Sequence, residues 1–258
     1  MRVCDKCMAI YKNKTIKKCV LMRCGGIGNI INIDDLIYPC ISTLNLKYGL
    51  PTKFSCSGHI YEDKNYGYIT LDTKKLMDCI KTWLQHDFSK YCENNEITDI
   101  FLYKIISLIY LKMLEINNKE PMSNEDLDNI NKKINEIINK CINNNIKTES
   151  EYTDSIERNV DGVILEFSTI DDTDDIGNDQ ILPAIDIRMP DTDFDDEDKL
   201  SAGKKHLTDL EKLYQYIGDL KPIDYMLDDI FYNHKKEYKL HKFDKPMRCK
   251  IKRINKQK

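Results

Sequence analysis

The sequence has little alanine, little arginine and no long apolar run. Only three of its 258 residues are Ala and six are Arg, against 33 Lys and 35 Ile. This bias follows A/T-rich codons and is typical of low-GC bacteria, their phages, large DNA viruses and protozoa. No window approaches the ~18 uninterrupted apolar residues of a membrane span, and the charged N-terminus lacks the apolar segment of a signal peptide. We therefore expect a cytoplasmic protein without membrane contact, located in the host cytoplasm if a phage or virus encodes it.

Several catalytic signatures are also missing from the chain. It contains no HExxH helix, no Walker loop and no order of residues that suggests a Ser-His-Asp triad. Its ten cysteines amount to about 4% of the residues, well below the density of small secreted disulfide proteins, so we expect them to be reduced. Whether the protein is an enzyme stays open on these observations.

The charge is unevenly distributed along the chain. Residues 1–148 carry a net charge of +4, residues 149–200 carry −15 and residues 201–258 carry +7, although the whole chain carries only −4. The acidic clusters at 171–175 and 191–196 lack the spacing of an EF-hand, and we expect solvated acidic loops rather than cation sites. The tail 234–258 holds eleven Lys and Arg with interspersed aromatics, which is typical of nucleic-acid binding or simply of a solubilising end.

Hydrophobic periodicity predicts an α/β or α+β fold with a small mixed sheet interrupted by a helical insertion. We expect a discontinuous core at residues 1–72 and 160–220, a helical insertion at 73–148 and a basic C-terminal tail at 221–258. Predicted strands cover 18–24, 52–56, 66–71, 162–168 and 184–189. A helix over 200–217 is expected to bury a face of Leu207, Leu210, Leu213, Tyr214 and Ile217.

The stretch Ile33–Leu71 resembles a known family. Its segment IDDLIYPCISTLNLKYGLPTKFSCSGHIY, followed by YGYITL, is similar to the start of the wybutosine-synthesis methyltransferases, the third enzyme of that tRNA-modification pathway. It is also similar to short phage and low-GC bacterial proteins that share a Cys-Ser-Gly-His turn. The matching positions are Asp34, Asn45, Thr52, Ser55, Cys56, Ser57, Gly58 and Ile60, whereas Lys53 and Phe54 differ and His59 stands where the family has Arg.

This resemblance implies an α/β fold in which a strand ends in the tetrad Ser55–Gly58. It implies proximity to a nucleotide or RNA, and S-adenosylmethionine as a cofactor if methyl transfer is retained. The resemblance covers about 40 residues, and the tetrad is its most specific part.

The residues of the tetrad also suggest a ligand site on physical grounds. A strand ending in Ser-x-Ser-Gly exposes small side chains and N–H groups at the end of a sheet, where a phosphate or carboxylate can bind. Cys56 and His59 are candidate catalytic groups, as a thiolate and a general acid. Candidate ligand-binding residues are Asp34, Thr52, Ser55, Ser57 and Gly58. The alternative is a simple tight turn with a small buried cysteine.

The N-terminal cysteines suggest a metal site. Cys4-x-x-Cys7 and Cys19-x4-Cys24 supply four thiols in two pairs, as tetrahedral zinc prefers. Zinc would also order a basic segment that has little apolar content. The alternative places Cys19 and Cys24 in or beside a core strand and leaves Cys4 and Cys7 free. The glycines Gly25, Gly26 and Gly28 suggest a phosphate loop only weakly, because the full GxGxxG spacing is missing.

Three functional hypotheses follow from the sequence. The first is a nucleotide- or RNA-interacting protein with its ligand site at Ser55–His59, in the manner of a tRNA-modification enzyme. The second is a non-enzymatic phage or viral counter-defence protein that binds a host protein or sequesters a signalling nucleotide. The third is a zinc-stabilised interaction module.

Overall fold

A computed structural model describes the chain over residues 2–4, 8–12, 14–21, 28–58, 66–94, 96–116, 122–143, 155–173, 179–190 and 199–233. The strands are β1 (Arg2–Cys4), β2 (Ile30–Asn32), β3 (Thr52–Cys56), β4 (Tyr68–Leu71), β5 (Ile156–Val160), β6 (Val163–Thr173) and β7 (Asp179–Arg188). The helices are α1 (Tyr38–Ser42), α2 (Thr73–Asp87), α3 (Ser89–Asn94), α4 (Asp99–Glu115), α5 (Asn124–Asn143), α6 (Lys199–Asp219) and α7 (Ile223–Asp228). π-helical turns extend α1 over Thr43–Lys47 and α7 over Asp229–Asn233.

The predicted fold class is confirmed: helices cover a small sheet in a mixed α/β structure. The larger sheet has the order β3-β4-β7-β6-β5, and β1 pairs with β2 in a separate ribbon. The sequence analysis predicted a mixed sheet. The structure corrects this point, because every pairing between these strands is antiparallel. The rule that ligands bind at the carboxyl ends of parallel strands therefore does not apply here.

One hydrophobic core joins the sheet to the helices. Helix α4 lies at its centre and is buried on nearly all sides, which explains why this strongly apolar segment is not amphipathic. The hydroxyl of Tyr110 donates to the carbonyl of Ile156 at 3.1 Å and lies 3.4 Å from that of Leu165, so it links α4 to β5 and β6. None of the described helices combines the length and apolar character needed to cross a membrane.

The sheet combines strands from distant parts of the sequence. β4, from the first predicted core segment, pairs directly with β7 from the second, and α2–α5 occupy the stretch predicted as a helical insertion. The predicted start of the tail at residue 221 falls inside the folded structure, because Ile223, Met226 and Phe231 are buried in the core. Residues 234–258 lie outside the described part of the chain.

Part of the segment predicted as a solvated acidic loop is strand. β6 continues to Thr173 and β7 begins at Asp179, so Asp171 and Asp172 belong to a long hairpin. The carboxylate of Asp172 lies 3.0 Å from Nζ of Lys53 and 3.6 Å from Nζ of Lys74. Asp172 is therefore an ion-pair partner of β3 and α2 rather than part of a solvated loop. Asp174, Asp175 and the cluster at 191–196 lie outside the described residues.

Candidate functional site

The tetrad Ser55–Gly58 lies at one end of the larger sheet. β3 ends at Cys56, so Ser57 and Gly58 begin the turn toward β4. Gly67, at the start of β4, accepts a hydrogen bond through its carbonyl from the amide of Met189, just beyond β7, at 2.8 Å. The tetrad, the start of β4 and the end of β7 therefore share one end of the sheet.

Two of the predicted ligand residues bind each other. Oγ of Ser57 donates to Oδ2 of Asp34 at 2.5 Å, and the Ser57 amide lies 3.4 Å from the same oxygen. Ser57 is buried, and Asp34 lies two residues after the end of β2. This contact fixes the end of β3 against the chain that leaves β2, so it is a bridge between two backbone segments.

A second bridge joins β3 to the helix that follows β2. Nδ2 of Asn45 donates to Oγ1 of Thr52 at 2.9 Å and to the carbonyl of Ile41, while the Thr52 amide donates back to Oδ1 of Asn45 at 3.3 Å. Asn45 lies on the π-helical turn Thr43–Lys47, a kind of distortion that is frequent at functional sites.

A cleft of about 390 Å³ lies between the segments that these two bridges connect. Its walls come from Ile31–Ile33 on one side and Thr52–Ser55 on the other, and its floor and rim come from Ile41, Asn45 and the start of α2. The size falls within the range of small-molecule sites, about 300–1,000 Å³. Of the predicted ligand residues, Thr52 and Ser55 line this cleft.

The cleft presents an aromatic ring beside two cations. Phe54 is 47% exposed although it is a large apolar residue, and Nζ of Lys53 lies 5.3 Å from the centre of its ring. Lys75 also lines the cleft and pairs with Asp72 at 3.1 Å. Lys75 is exposed, and exposed ion pairs of this kind contribute only about 0–1 kcal/mol, so Lys75 can exchange Asp72 for a ligand anion.

Gly58 is enclosed between α6 and the start of β4. Its φ of +83° lies in the left-handed region, and an added Cβ would lie 2.8 Å from Cε1 of His206 and 2.9 Å from the amide nitrogen of Gly67. Only glycine fits this position without strain. Gly58 therefore has the left-handed backbone that is common in turns, and close contacts hold it in place.

His206 and Asp209 on α6 are polar residues of this region that the sequence analysis missed. Both are buried, and Oδ1 of Asp209 accepts from Nζ of Lys212 at 3.2 Å, whereas Oδ2 has no hydrogen-bond partner among the described residues. The helical face predicted for α6 was wrong at Leu207, which is 59% exposed. The buried positions Ala202, His206, Asp209 and Leu213 follow one another at intervals of four or three residues, and Leu220 lies seven residues further on. This spacing could have revealed the buried face.

Cys56 lies on the opposite face of the sheet from Ser55. It stands opposite Tyr68, which stands opposite Arg188, so these three side chains form a row across β3, β4 and β7. Burial, followed by the neighbouring Cys56, Asp186 and Tyr66, raises the pKa of Tyr68. His59 lies outside the described residues, so the predicted catalytic pair of Cys56 and His59 stays a prediction.

The same face of the sheet carries a buried charged cluster. Arg188 pairs with Glu157 at 2.6 Å and Glu166 at 3.4 Å, and it stacks on the ring of Tyr66 at 5.0 Å. Desolvation raises the pKa of Asp186 to about 6, and the charge of Glu166 adds to the rise, although the hydrogen bond from Thr70 and the charge of Arg188 oppose it.

Two of the four predicted zinc ligands lie together in the N-terminal ribbon. Cys4 and Cys19 are buried in one small cluster with Ala9, Tyr11 and Ile30, and Sγ of Cys19 accepts from the Tyr11 hydroxyl at 3.0 Å. Cys7, Cys24, Gly25 and Gly26 lie outside the described residues, whereas Gly28 accepts a backbone hydrogen bond from Cys19.

Across the residues that the structure describes, no three His, Cys, Asp or Glu side chains are grouped to hold a metal ion. The resemblance to wybutosine-synthesis methyltransferases stays a prediction. No protein-family model matches this chain, and no curated protein or solved structure matches it.

Proposed function

We propose that this protein binds a nucleotide or single-stranded RNA in the cleft between the segment that continues β2 and the edge strand β3. The observation that carries the proposal is that Phe54, a large apolar residue that is 47% exposed, lines a cleft of about 390 Å³ together with Lys53 and Lys75. A base can stack on such a ring, and stacking contributes about 1–3 kcal/mol per base.

The remaining walls of the cleft suit a base with a sugar and a phosphate. Ile31 and Ile41 supply apolar surface, while Asn32 and Ser55 supply an amide and a hydroxyl that can hydrogen-bond to base edges or ribose. Because the Asp34–Ser57 and Asn45–Thr52 bridges hold the walls, the site is largely formed before the ligand arrives, which lowers the entropic cost of binding.

We propose binding only and assign no catalytic step to this cleft. Cys56 does not line the cleft, so its thiol is assigned no contact with the bound ligand. The tRNA-modification hypothesis, with S-adenosylmethionine, would need further groups at this cleft. Sequestration of a signalling nucleotide needs only the cleft itself.

A single substitution tests the proposal. We expect Phe54→Ala to weaken binding of a fluorescein-labelled RNA nonamer of mixed sequence by about 5- to 150-fold, the equivalent of 1–3 kcal/mol of stacking. Fluorescence anisotropy measures the affinity. Tyr225→Ala is the matched control, because Tyr225 is a 60% exposed aromatic residue on α7, away from the cleft. Equal losses in both variants, or an unaltered protein that binds neither the nonamer nor adenosine monophosphate, would refute the proposal.

Native mass spectrometry of the protein purified from cells separates the alternatives. A nucleotide that is retained and released intact supports sequestration, and a retained S-adenosyl compound supports the tRNA-modification hypothesis. A co-purifying host protein with no nucleotide supports the counter-defence hypothesis and argues against the cleft as a nucleotide site.

A second candidate function is a zinc-stabilised interaction module at the N-terminus. The observation in its favour is that Cys4 and Cys19, fifteen positions apart, are buried in the same small cluster. Cys7 and Cys24 would complete a tetrahedral thiolate set. Metal bound to such a set would supply the folding energy that this ribbon cannot obtain from its few buried side chains.

Metal analysis tests the zinc proposal directly. We expect one zinc per chain by inductively coupled plasma mass spectrometry after purification without chelators, and its loss in Cys4→Ser. Cys79→Ser is the control, because Cys79 lies on α2 and is outside the ribbon. A metal-free protein, or one in which Cys4→Ser keeps its zinc, would disprove the site.

A further inference from the structure

The N-terminal ribbon is basic throughout its described part. We define it as residues 2–4, 8–12, 14–21 and 28–33, which contain no Asp or Glu. β1 and β2 form its antiparallel pair, and isolated pairings join Val3 to Ile10 and Lys18 to Asn29. The ribbon therefore holds a set of cations in a defined fold without compensating carboxylates of its own.

Four of these cations are exposed lysines: Lys12, Lys14, Lys17 and Lys18. None of them forms an ion pair with another residue in the described ranges, in contrast to Lys53 and Lys75 at the cleft. Like charges held close together on a surface create a positive potential that attracts polyanions. Their charge is thus available to a partner.

Backbone hydrogen bonds connect the segments that carry Lys17 and Lys12 to the strand that lines the cleft. The Ile30 amide donates to the Lys17 carbonyl at 2.9 Å, and Ile30 begins the strand whose Ile31 and Asn32 line the cleft. The Tyr11 amide donates to the Arg2 carbonyl at 2.8 Å, and Arg2 stands opposite Asn32. Lys12 directly follows Tyr11, and Tyr11 lies two strands away from the wall of the cleft.

From this continuity we infer that the ribbon lysines hold the phosphates of a single-stranded RNA whose base occupies the cleft. The inference rests on the proposed function and narrows it: the ligand is a chain of several nucleotides rather than a lone nucleotide. Basic grooves that track the backbone beside an aromatic platform are the usual means of binding single strands without sequence preference. An acidic protein partner is the competing occupant, because Ile10 and Val20 expose aliphatic surface on the same ribbon.

The experiment compares a long and a short ligand on two matched quadruple variants. One variant changes Lys12, Lys14, Lys17 and Lys18 to Gln. The control changes Lys104, Lys132, Lys133 and Lys205 to Gln, which removes the same charge from exposed positions on α4, α5 and α6. The probes are the labelled RNA nonamer and adenosine monophosphate, and KCl is varied from 50 to 200 mM.

We expect the ribbon variant to bind the nonamer at least about tenfold more weakly at 100 mM KCl and to bind adenosine monophosphate as the unaltered protein does. Each phosphate that a cation neutralises contributes about 0.7 to the slope of log K against log salt, so losing four contacts reduces that slope by up to about 2.8. The control variant is expected to keep both the affinity and the slope.

The outcomes separate this inference from the proposed function. If Phe54→Ala weakens the binding of both ligands while the ribbon variant behaves as its control does, the cleft remains supported as the binding site and the ribbon inference is overturned. If the ribbon variant loses the nonamer while Phe54→Ala has no effect, the lysines bind RNA without the cleft and the proposed function fails. If the unaltered protein binds neither ligand, both fail, and binding of polyglutamate in place of RNA identifies the acidic-protein alternative.

Discussion

Replacing Asp186 by Asn is expected to raise the free energy of unfolding by up to about 3 kcal/mol above pH 7 and to leave it nearly unchanged at pH 4. Asp186 lies on β7 among Thr70, Glu166 and Arg188, and its pKa is raised to about 6 mainly because the carboxylate is desolvated. Oδ1 accepts a hydrogen bond from the Thr70 hydroxyl, which the amide oxygen of Asn can also accept.

The direction of the pH dependence follows from the two pKa values. An unfolded Asp has a pKa near 3.8, so between about pH 4 and pH 6 the folded protein retains a proton that the unfolded chain has released. The stability of the unaltered protein therefore falls as pH rises through this window and is constant above it. A difference of about two pKa units corresponds to about 3 kcal/mol, and the Asn variant avoids this loss.

Urea unfolding at pH 4, 5, 6 and 7.5 measures this difference. Asp128→Asn on α5 is the control, since it removes one exposed carboxylate and should change stability by less than about 0.5 kcal/mol at every pH. If Asp186→Asn were less stable than the unaltered protein at pH 7.5, the negative charge would be required by Arg188, and the expected desolvation cost would be wrong.

The second large effect is expected from Gly58→Ala, which should lower the free energy of unfolding by about 3 kcal/mol or more. The residue would have to hold a φ of +83°, and its Cβ would lie under 3.0 Å from the backbone of Tyr66 and Gly67 as well as from His206. Left-handed backbone alone costs a non-glycine residue about 1–2 kcal/mol, and the close contacts add to this.

Gly218→Ala is the matched control for this substitution. Gly218 lies within α6 and an added Cβ would have nothing within 4 Å, so we expect a gain of about 0.5–1 kcal/mol from the better helix former. Adding His206→Ala to Gly58→Ala should restore only part of the loss, because the contacts with the backbone remain. Full restoration would show that the side chain of His206, rather than the turn itself, excludes a larger residue.

Local sequence patterns were sufficient to predict those elements whose structure depends on residues close together in the chain. β3 has the predicted bounds, Thr52–Cys56, and β4 lies within the predicted 66–71. Helix α5 begins at a local capping pair, because the Asp126 amide donates to Oγ of Ser123 at 3.1 Å and that hydroxyl donates to Oδ2 of Asp126 at 2.6 Å. Each of these features depends on residues that are only a few positions apart in the sequence.

β5 was missed because its pattern carries little hydrophobic signal. Ile156 and Val160 are buried at its ends while the three residues between them are exposed, so no regular alternation marks the strand. The informative signal was the turn that follows, Asp161–Gly162, in which both residues have positive φ. Asp-Gly is a preferred sequence for tight hairpins between antiparallel strands.

The cleft could be predicted only in part, because its bridges join residues that are far apart in sequence. Thr52 and Ser55 were identified as ligand residues and do line it. Nothing local indicates that Ser57 would bind Asp34, 23 positions earlier, or that His206 would approach Gly58 across almost 150 positions. Such contacts are set by the packing of whole elements against the sheet.

The central position of β7 affects how the chain reaches its folded state. β7 lies between β4 and β6, and it pairs Arg188 with Tyr68, a residue made 120 positions earlier. At a synthesis rate of about 5–20 residues per second, the inner edge of β4 stays open for roughly 6–24 s before its partner strand exists. A nascent chain with such an edge is prone to strand pairing with other chains, so we expect soluble yield to depend on translation speed and chaperones between β4 and β7.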